Sequence, residues 1–175
     1  MIPEEEIKAM VKKIGQQITD EYKELIKDAP LMIIGVLKGA YIFMSDLVRA
    51  IDLPIQMDFI QASSYIGTES SGFVNITKNV DISVEGKHII IVEDILDTGR
   101  TLNAIKTAML AQNAKSVKIA AFLDKPARRK VQIDADYCCC QIPDNFVVGY
   151  GLDYAERYRT LPYVGILSPS VYMKN

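Results

Sequence analysis

The stretch IIIVEDILDTGRTL (residues 89–102) determines the fold expected for this chain. It opens with four apolar residues, 89–92, which is the pattern of a strand buried on both faces of a sheet. Two acids, Glu93 and Asp94, are expected to end this strand, and Asp97 then precedes a glycine turn. A helix is expected over residues 102–110 from its apolar spacing. A strand, a turn and a helix in this order predict one βαβ unit of a parallel sheet.

Similar patterns recur on both sides of this stretch. Apolar runs predict strands at 31–37, 55–60, 73–80, 117–123, 137–140, 146–150 and 163–167, and helical spacing predicts helices at 3–28 and 40–51. The polar, glycine-containing segment SSYIGTESSG (63–72) is typical of a mobile loop. The predicted fold class is therefore α/β, with a mostly parallel twisted sheet flanked by helices. The length of 175 residues fits a single domain, residues 1–175.

Composition excludes several classes of function. Twenty Lys and Arg against 22 Asp and Glu leave a net charge of −2, which argues against a nucleic-acid partner. No apolar run reaches the ~18 residues of a membrane span, so no membrane association is expected. The acidic start, MIPEEEIKAM, does not have the plan of a signal peptide. The three adjacent cysteines, residues 138–140, are expected to be small apolar side chains of a buried strand in a reduced, cytoplasmic protein.

The turn that follows Asp97 carries the strongest indication of chemistry. Thr98, Gly99 and Thr101 lie at a helix start, where unpaired amides, two hydroxyls and the helix dipole favour an anion such as phosphate. Acids beside a phosphate are explicable if they accept hydrogen bonds from sugar hydroxyls or hold Mg²⁺. A ribose phosphate has both features. The alternative is structural, with Asp97 capping the helix and the strand-end acids merely solvated.

The sequence VEDILDTGRTL resembles the phosphoribosyl-diphosphate binding motif of the type I phosphoribosyltransferases. Further segments are similar to those of the hypoxanthine-guanine phosphoribosyltransferases and occur in the same order. These are LKGAYIF (37–43), SSYIGTESSG (63–72), FLDKPARR (122–129) and DNFVVGYGLDYAERYR (144–159). The resemblance covers about residues 31–159. It implies transfer of ribose 5-phosphate from phosphoribosyl diphosphate to a purine, with Mg²⁺ as cofactor. It also implies the fold of the family, with a flexible closing loop and a small hood subdomain formed by parts of the N- and C-terminal segments.

The resemblance also implies a set of residues that bind phosphoribosyl diphosphate. Asp97 is implied as the catalytic general base toward the imidazole ring of the purine. Glu93 and Asp94 would hold the ribose hydroxyls, directly or through the metal. The full set implied for phosphoribosyl diphosphate is Lys38, Gly39, Glu93, Asp94, Asp97, Thr98, Gly99, Arg100, Thr101 and Arg159. The Lys38–Gly39 peptide bond is one that the resemblance suggests as cis.

The purine site follows from the same resemblance. Lys125 would donate to the 6-oxo group, which favours hypoxanthine over adenine because an ammonium only donates. Phe146 would stack on the base, and the backbone at Val147 would contact its edge. Asp153 is implied as part of the purine site and as a further metal ligand, so the metal set is Glu93, Asp94 and Asp153. Ser64 and Tyr65 would open the closing lid.

Some properties stay open from the sequence. Hypoxanthine is the expected substrate and guanine a further one, while the place of xanthine and the ranking of the three are not fixed. The basic run at 128–130 is expected to be a solvated cluster. A homodimer or homotetramer is expected from the resemblance. Two other functions compete: an RNA-binding regulator on the same fold, and a transferase for adenine or orotate.

Overall fold

The computed structural model describes residues 1–64 and 74–172. Within these ranges a six-stranded sheet forms the centre, in the order β3-β2-β1-β4-β5-β6. Strands β2, β1, β4, β5 and β6 are parallel to one another, and β3 pairs antiparallel with β2. The strands are β1 (Leu31–Leu37), β2 (Ile55–Ser64), β3 (Val74–Lys78), β4 (His88–Leu96), β5 (Ser116–Asp124), β6 (Tyr137–Gln141), and a separate pair, β7 (Val147–Val148) and β8 (Gly165–Ile166).

Helices cover both faces of the sheet, as the continuous apolar strands require. The helices are α1 (Glu4–Leu25), α2 (Tyr41–Ala50), α3 (Arg100–Ala111) and α4 (Pro169–Tyr172), with a short 3-10 helix at Pro126–Arg128. Alternate residues of β4 point to opposite sides: Ile90 joins the core beneath α1 and α2, and Ile91 joins the core beneath α3. The mostly parallel α/β fold expected from the sequence is confirmed.

The small antiparallel pair β7-β8 lies next to the start of the chain. Val147 pairs with Ile166, and Ile2 forms a bridge with Val164 just before β8. Ile2 and Val164 are buried in the same core as α1 and α2. The N- and C-terminal segments therefore meet.

Several predicted boundaries were wrong. The strand expected over residues 89–92 continues through both acids to Leu96, because β5 still pairs with it there, with Leu96 opposite Asp124. β2 extends to Ser64, two residues into the segment expected as a loop from residue 63, and the rest of that segment lies outside the described residues. The strands expected at 146–150 and 163–167 shorten to two residues each. The helices at 126–128 and 169–172 were not predicted.

The cysteines also differ from the expectation. Cys138, Cys139 and Cys140 lie in β6, but all three are only partly buried because β6 is the edge strand of the sheet. Burial raises the pKa of the Cys138 thiol to about 11 and that of Cys139 to about 12. These thiols are therefore protonated at neutral pH and poor nucleophiles. Among the described residues, no helix combines the length and apolar character needed to cross a membrane.

Candidate active site

Three neighbouring parallel strands end at the same edge of the sheet, and each is followed by a residue expected in the site. Lys38 follows β1, Asp97 follows β4 and Lys125 follows β5. The register pairs Leu96 with Asp124, so Asp97 and Lys125 leave adjacent strands at the same level. In open α/β sheets ligands bind outside this carboxyl edge. Two cavities lie here, and Ile95 and Asp97 line both.

The first cavity, named here the phosphate cavity, has a volume of about 220 Å³ and lies over the turn that precedes α3. Gly99 caps α3 with a φ of 79°, a left-handed conformation that favours glycine. The first bond within the helix runs from the Asn103 amide to the Gly99 carbonyl, so the amides of the opening turn have no partner within the helix. The lining residues are Val36, Leu37, Ala62, Glu93, Ile95, Leu96, Asp97, Thr98, Gly99, Thr101 and Leu102.

One residue expected around this phosphate does not line the cavity. Arg100 is exposed, and its amide donates to the Thr98 hydroxyl at 3.4 Å. Its contribution is therefore the backbone of the first helical turn. Ser64 ends β2, and the other residue expected in the lid, Tyr65, lies outside the described residues.

The second cavity, named here the purine cavity, has a volume of about 230 Å³. Its lining residues are Asp94, Ile95, Asp97, Lys125, Phe146, Val147, Leu152 and Asp153. The structure thus brings together all four residues expected around the base. Lys125 is 7% exposed, and its ammonium donates to the Asn145 carbonyl at 2.6 Å. Phe146 is 39% exposed, and its ring is nearly perpendicular to that of Tyr154, with 5.7 Å between the centroids.

Glu93 and Asp94 point into different cavities because adjacent strand residues face opposite sides of the sheet. Burial raises the pKa of Glu93 well above its usual value, and the neighbouring Asp94 carboxylate raises it further. Burial also raises the pKa of Asp94, against hydrogen bonds and the positive charge of Arg159, which favour the ionised form. Two largely buried carboxyl groups with raised pKa values are characteristic of a site that binds a cation or sugar hydroxyls.

Close backbone contacts bring the loop after β1 against Asp94. A Cβ added to Gly39 would lie 1.8 Å from Asp94 Oδ2, and one added to Gly151 would lie 2.1 Å from the Gly39 carbonyl oxygen. Only glycine fits at either position. The structure has a cis peptide bond here, but it joins Leu37 to Lys38. The bond suggested by the resemblance, Lys38–Gly39, is therefore not the cis one.

The remaining charged residues of the site are paired with one another. Lys38 donates to Glu156 Oε2 at 3.0 Å. Arg159 donates to the Gly151 carbonyl at 2.8 Å, and its Nη2 lies 3.0 Å from Asp153 Oδ1. Asp153 Oδ2 also accepts from the Glu156 amide at 2.8 Å. Arg159 and Asp153, assigned to opposite ends of the substrate from the sequence, are thus direct neighbours.

A metal site made by protein side chains alone is not present in the described part of the chain, where no group of three or more His, Cys, Asp or Glu residues converges. The donors at Glu93, Asp94 and Asp153 are carboxylates, which suit Mg²⁺. Mg²⁺ is commonly held by one or two carboxylates together with substrate phosphates and water. The side chains fit a metal that arrives with its substrate better than a permanently bound ion.

Within the basic run at 128–130, Arg128 and Lys130 are exposed, as expected from the sequence, and Arg129 is not. Arg129 is 15% exposed at its side chain and forms an ion pair with Asp124, which is itself buried. Arg129 also donates to the carbonyls of Leu96, at 3.0 Å, and Asp97. Arg128 approaches the Asp97 carboxylate itself. The net charge of the chain gives no indication of these contacts. In the sequence, only the nearby Asp124 and Pro126 indicate that the basic run contacts β5.

Comparisons with known proteins agree with this geometry. The family model of the phosphoribosyl transferase domain matches residues 4–155. The hypoxanthine-guanine phosphoribosyltransferase of Bacillus subtilis is 53% identical over 98% of this chain and 94% of its own length. That of Streptococcus pyogenes is 52% identical over 98% of this chain and 93% of its own.

A solved structure gives the same result for the fold. The hypoxanthine phosphoribosyltransferase of Staphylococcus aureus superposes with a TM-score of 0.94 at 47% identity and covers 99% of this chain and 93% of that one. The match includes β1 to β6, both cavities and the turn at Asp97. The resemblance noted from five sequence segments is thereby confirmed, and this chain belongs to the phosphoribosyltransferase family.

Proposed function

We propose that this protein is a purine-salvage transferase that moves the 5-phosphoribosyl group of phosphoribosyl diphosphate to hypoxanthine and guanine, giving IMP or GMP and diphosphate. The observation that carries the proposal is the position of Asp97 at the junction of the phosphate cavity and the purine cavity. One carboxylate adjoins both, so a sugar in the first and a base in the second would meet beside it. The relatives named above carry this activity in their names.

In this reaction the bond from the ribose carbon to the diphosphate oxygen breaks, and a bond from that carbon to the purine nitrogen forms. The sugar develops positive charge, which nearby carboxylates stabilise. Asp97 accepts the proton from the imidazole ring of the purine, which has to leave as the new bond forms. The α3 amides and the hydroxyls of Thr98 and Thr101 hold the 5-phosphate. Lys38 and Arg159 would bind the leaving diphosphate through their positive charges.

The purine cavity explains a preference for 6-oxopurines. Lys125 lines the cavity, and its ammonium uses one N–H group on the Asn145 carbonyl at 2.6 Å, so further N–H groups can donate to a base. An exocyclic oxygen can accept from it, whereas the amino group of adenine cannot. Phe146 offers the stacking surface, and the backbone at Val147 offers contacts to the edge of the base.

Glu93, Asp94 and Asp153 would hold Mg²⁺ together with oxygens of the substrate. When bound, the metal neutralises charge on the diphosphate as it leaves. The buried pair at Glu93 and Asp94 supports this assignment, since burial raises both pKa values and a bound cation would stabilise the ionised carboxylates. Ser64 and Tyr65 remain proposed as the start of a closing lid.

The proposal extends to the organisation of the protein. Residues 1–175 would form a single domain, in which β7, β8 and the first residues of the chain make the hood. A homodimer or homotetramer is supported by the exposed aromatic side chains Tyr41 and Tyr158, which line an apolar surface cavity beside Lys38. A cytoplasmic location is supported by three free cysteines. Light scattering coupled to gel filtration tests the oligomer.

The experiment that tests the function is a spectrophotometric assay with phosphoribosyl diphosphate, Mg²⁺ and each of hypoxanthine, guanine, xanthine and adenine. Turnover of hypoxanthine and guanine, and none of adenine, is expected. Turnover of adenine alone would contradict the role of Lys125. If none of the four bases is turned over, the proposal as a whole is contradicted and an RNA-binding regulator is favoured. RNA binding is then measured directly.

A further inference from the structure

Arg128 places its guanidinium on the carboxylate proposed as the general base. Its Nε lies 2.8 Å from Asp97 Oδ1, which is the distance of a direct ion pair, but the contact is not aligned as a hydrogen bond: within the described residues the buried Oδ1 has no hydrogen-bond partner. The two residues come from different parts of the chain: Asp97 follows β4, whereas Arg128 ends the 3-10 helix that follows β5. The contact therefore exists only because β4 and β5 are neighbours in the sheet.

The same guanidinium also contacts Asp144, which lies near Lys125, the residue proposed to bind the 6-oxo group of the purine. Arg128 Nη1 lies 3.5 Å from Asp144 Oδ1, and Lys125 Nζ lies 3.8 Å from that same oxygen. Negative and positive groups thus alternate from Asp97 through Arg128 and Asp144 to Lys125. The two ends of this series line the purine cavity, and the two middle members do not.

A carboxylate held at one oxygen has a restricted orientation. Arg128 occupies the side of Oδ1, and in the described part of the chain no hydrogen bond or ion pair is made by Asp97 Oδ2. Oδ2 is then the oxygen left to accept a proton from a base in the purine cavity. Oδ1 is itself buried and meets the positive charge of Arg128, so Oδ2 is the oxygen that stays available to a ligand.

We propose that Arg128 is a positioning residue for phosphoribosyl transfer, which fixes the Asp97 carboxylate through Oδ1 so that Oδ2 meets the purine ring N–H. This inference rests on the proposed function and deepens it. Arg128 lines neither cavity, so it acts through Asp97 and not on the substrate.

The expected effect is modest because both side chains are accessible to water. Arg128 is 48% exposed at its side chain and Asp97 37%, and pairs of this kind contribute little to binding energy. Arg128→Ala is expected to lower kcat about three-fold, with the KM for hypoxanthine nearly unchanged. Arg128→Lys is expected to recover part of the loss, since it restores the charge without the planar geometry.

The test is a cycle of four proteins: the wild type, Arg128→Ala, Asp97→Asn and the double variant, measured by steady-state and single-turnover kinetics with hypoxanthine. If Arg128 acts through the Asp97 carboxylate, its removal costs about three-fold in the wild type and nothing in the Asp97→Asn background. Lys130→Ala removes a charge from the same basic run and is the matched control, because within the described residues the Lys130 side chain makes no ion pair or hydrogen bond. Melting temperatures identify any loss of fold.

Three results would overturn the inference. Equal losses in both backgrounds would show an effect independent of Asp97, and an unchanged kcat would show no effect at all. A higher kcat in Arg128→Ala would show that the arginine competes with the purine for Asp97. Wild-type protein that turns over none of the bases would instead contradict the proposed function, so the two failures are distinguishable.

Discussion

The contact between Gly39 and Asp94 allows a substitution to be designed with a calculable geometric effect. In Gly39→Ala the new Cβ would lie 1.8 Å from Asp94 Oδ2 and 2.5 Å from its Cγ. Ordinary van der Waals contact begins at 3.4 Å, so the carboxylate would have to move by roughly 1.6 Å. Asp94 lies on β4, and the residues on either side of it, Glu93 and Ile95, pair with β5, so its backbone cannot readily follow.

A displacement of this size removes the carboxylate from the position in which it would meet the ribose or its metal. Misplacement of a group by 1 Å can reduce a rate ~100-fold. We therefore expect kcat/KM for phosphoribosyl diphosphate to fall about 100-fold in Gly39→Ala. The assay is initial rate against phosphoribosyl diphosphate at saturating hypoxanthine and several Mg²⁺ concentrations, together with a melting curve.

Two further variants separate the proposed cause from others. Gly165→Ala is the matched control, because its nearest neighbour would be Tyr163 Cε2 at 3.5 Å, an ordinary contact. Asp94→Ala removes the clashing atoms, so adding Gly39→Ala to it should cost little more. Activity of Gly39→Ala within three-fold of the wild type, in a protein that melts normally, would refute the reasoning.

Three other substitutions test the site. Asp97→Asn is expected to lower kcat by ~10²–10⁴-fold with an unchanged melting temperature; near wild-type turnover would remove its role as base. Glu93→Gln removes a carboxyl group whose pKa is raised in the folded protein, and ionisation of such a group destabilises the fold as the pH rises through that pKa. The variant should therefore melt at a higher temperature than the wild type at pH 8 and show a smaller gain at pH 5, which melting curves at both pH values decide. It should also lose the stabilisation by Mg²⁺ and phosphoribosyl diphosphate. Arg129→Ala leaves the buried Asp124 unpaired and should cost ~3–5 kcal/mol of unfolding free energy, measured by urea denaturation; a cost below 1 kcal/mol would show that the pair is only a surface interaction.

Apolar patterning was sufficient to predict most of the central sheet. The runs at 31–37 and 117–123 became β1 and β5 almost unchanged, because strands buried on both faces must be apolar throughout. The same criterion failed at Glu93 and Asp94. Pairing of β4 with β5 is made by backbone groups, so the strand continues through two acids that no hydrophobic pattern includes.

The candidate site was predictable only where its residues are close in sequence. The turn from Asp97 to Thr101 carries its signal in one short segment, and resemblance supplied Lys125, Phe146 and Asp153. A basic run on a soluble chain is usually solvated, which holds for Arg128 but not for Arg129. Their partners, Asp97 and Asp124, become visible only when β4 and β5 are placed side by side.

The sequence by itself determined the class of fold, the helix start that offers amides to a phosphate, and the family. These features depend on spacing between near neighbours, since burial periodicity and helix termini are local properties of the chain. Only the tertiary structure decided that one carboxylate adjoins both cavities, that Gly39 contacts Asp94, and that Arg128 holds Asp97. Each of these contacts joins segments that follow different strands. The distances between such segments are set by strand order and register, and a local sequence pattern contains neither.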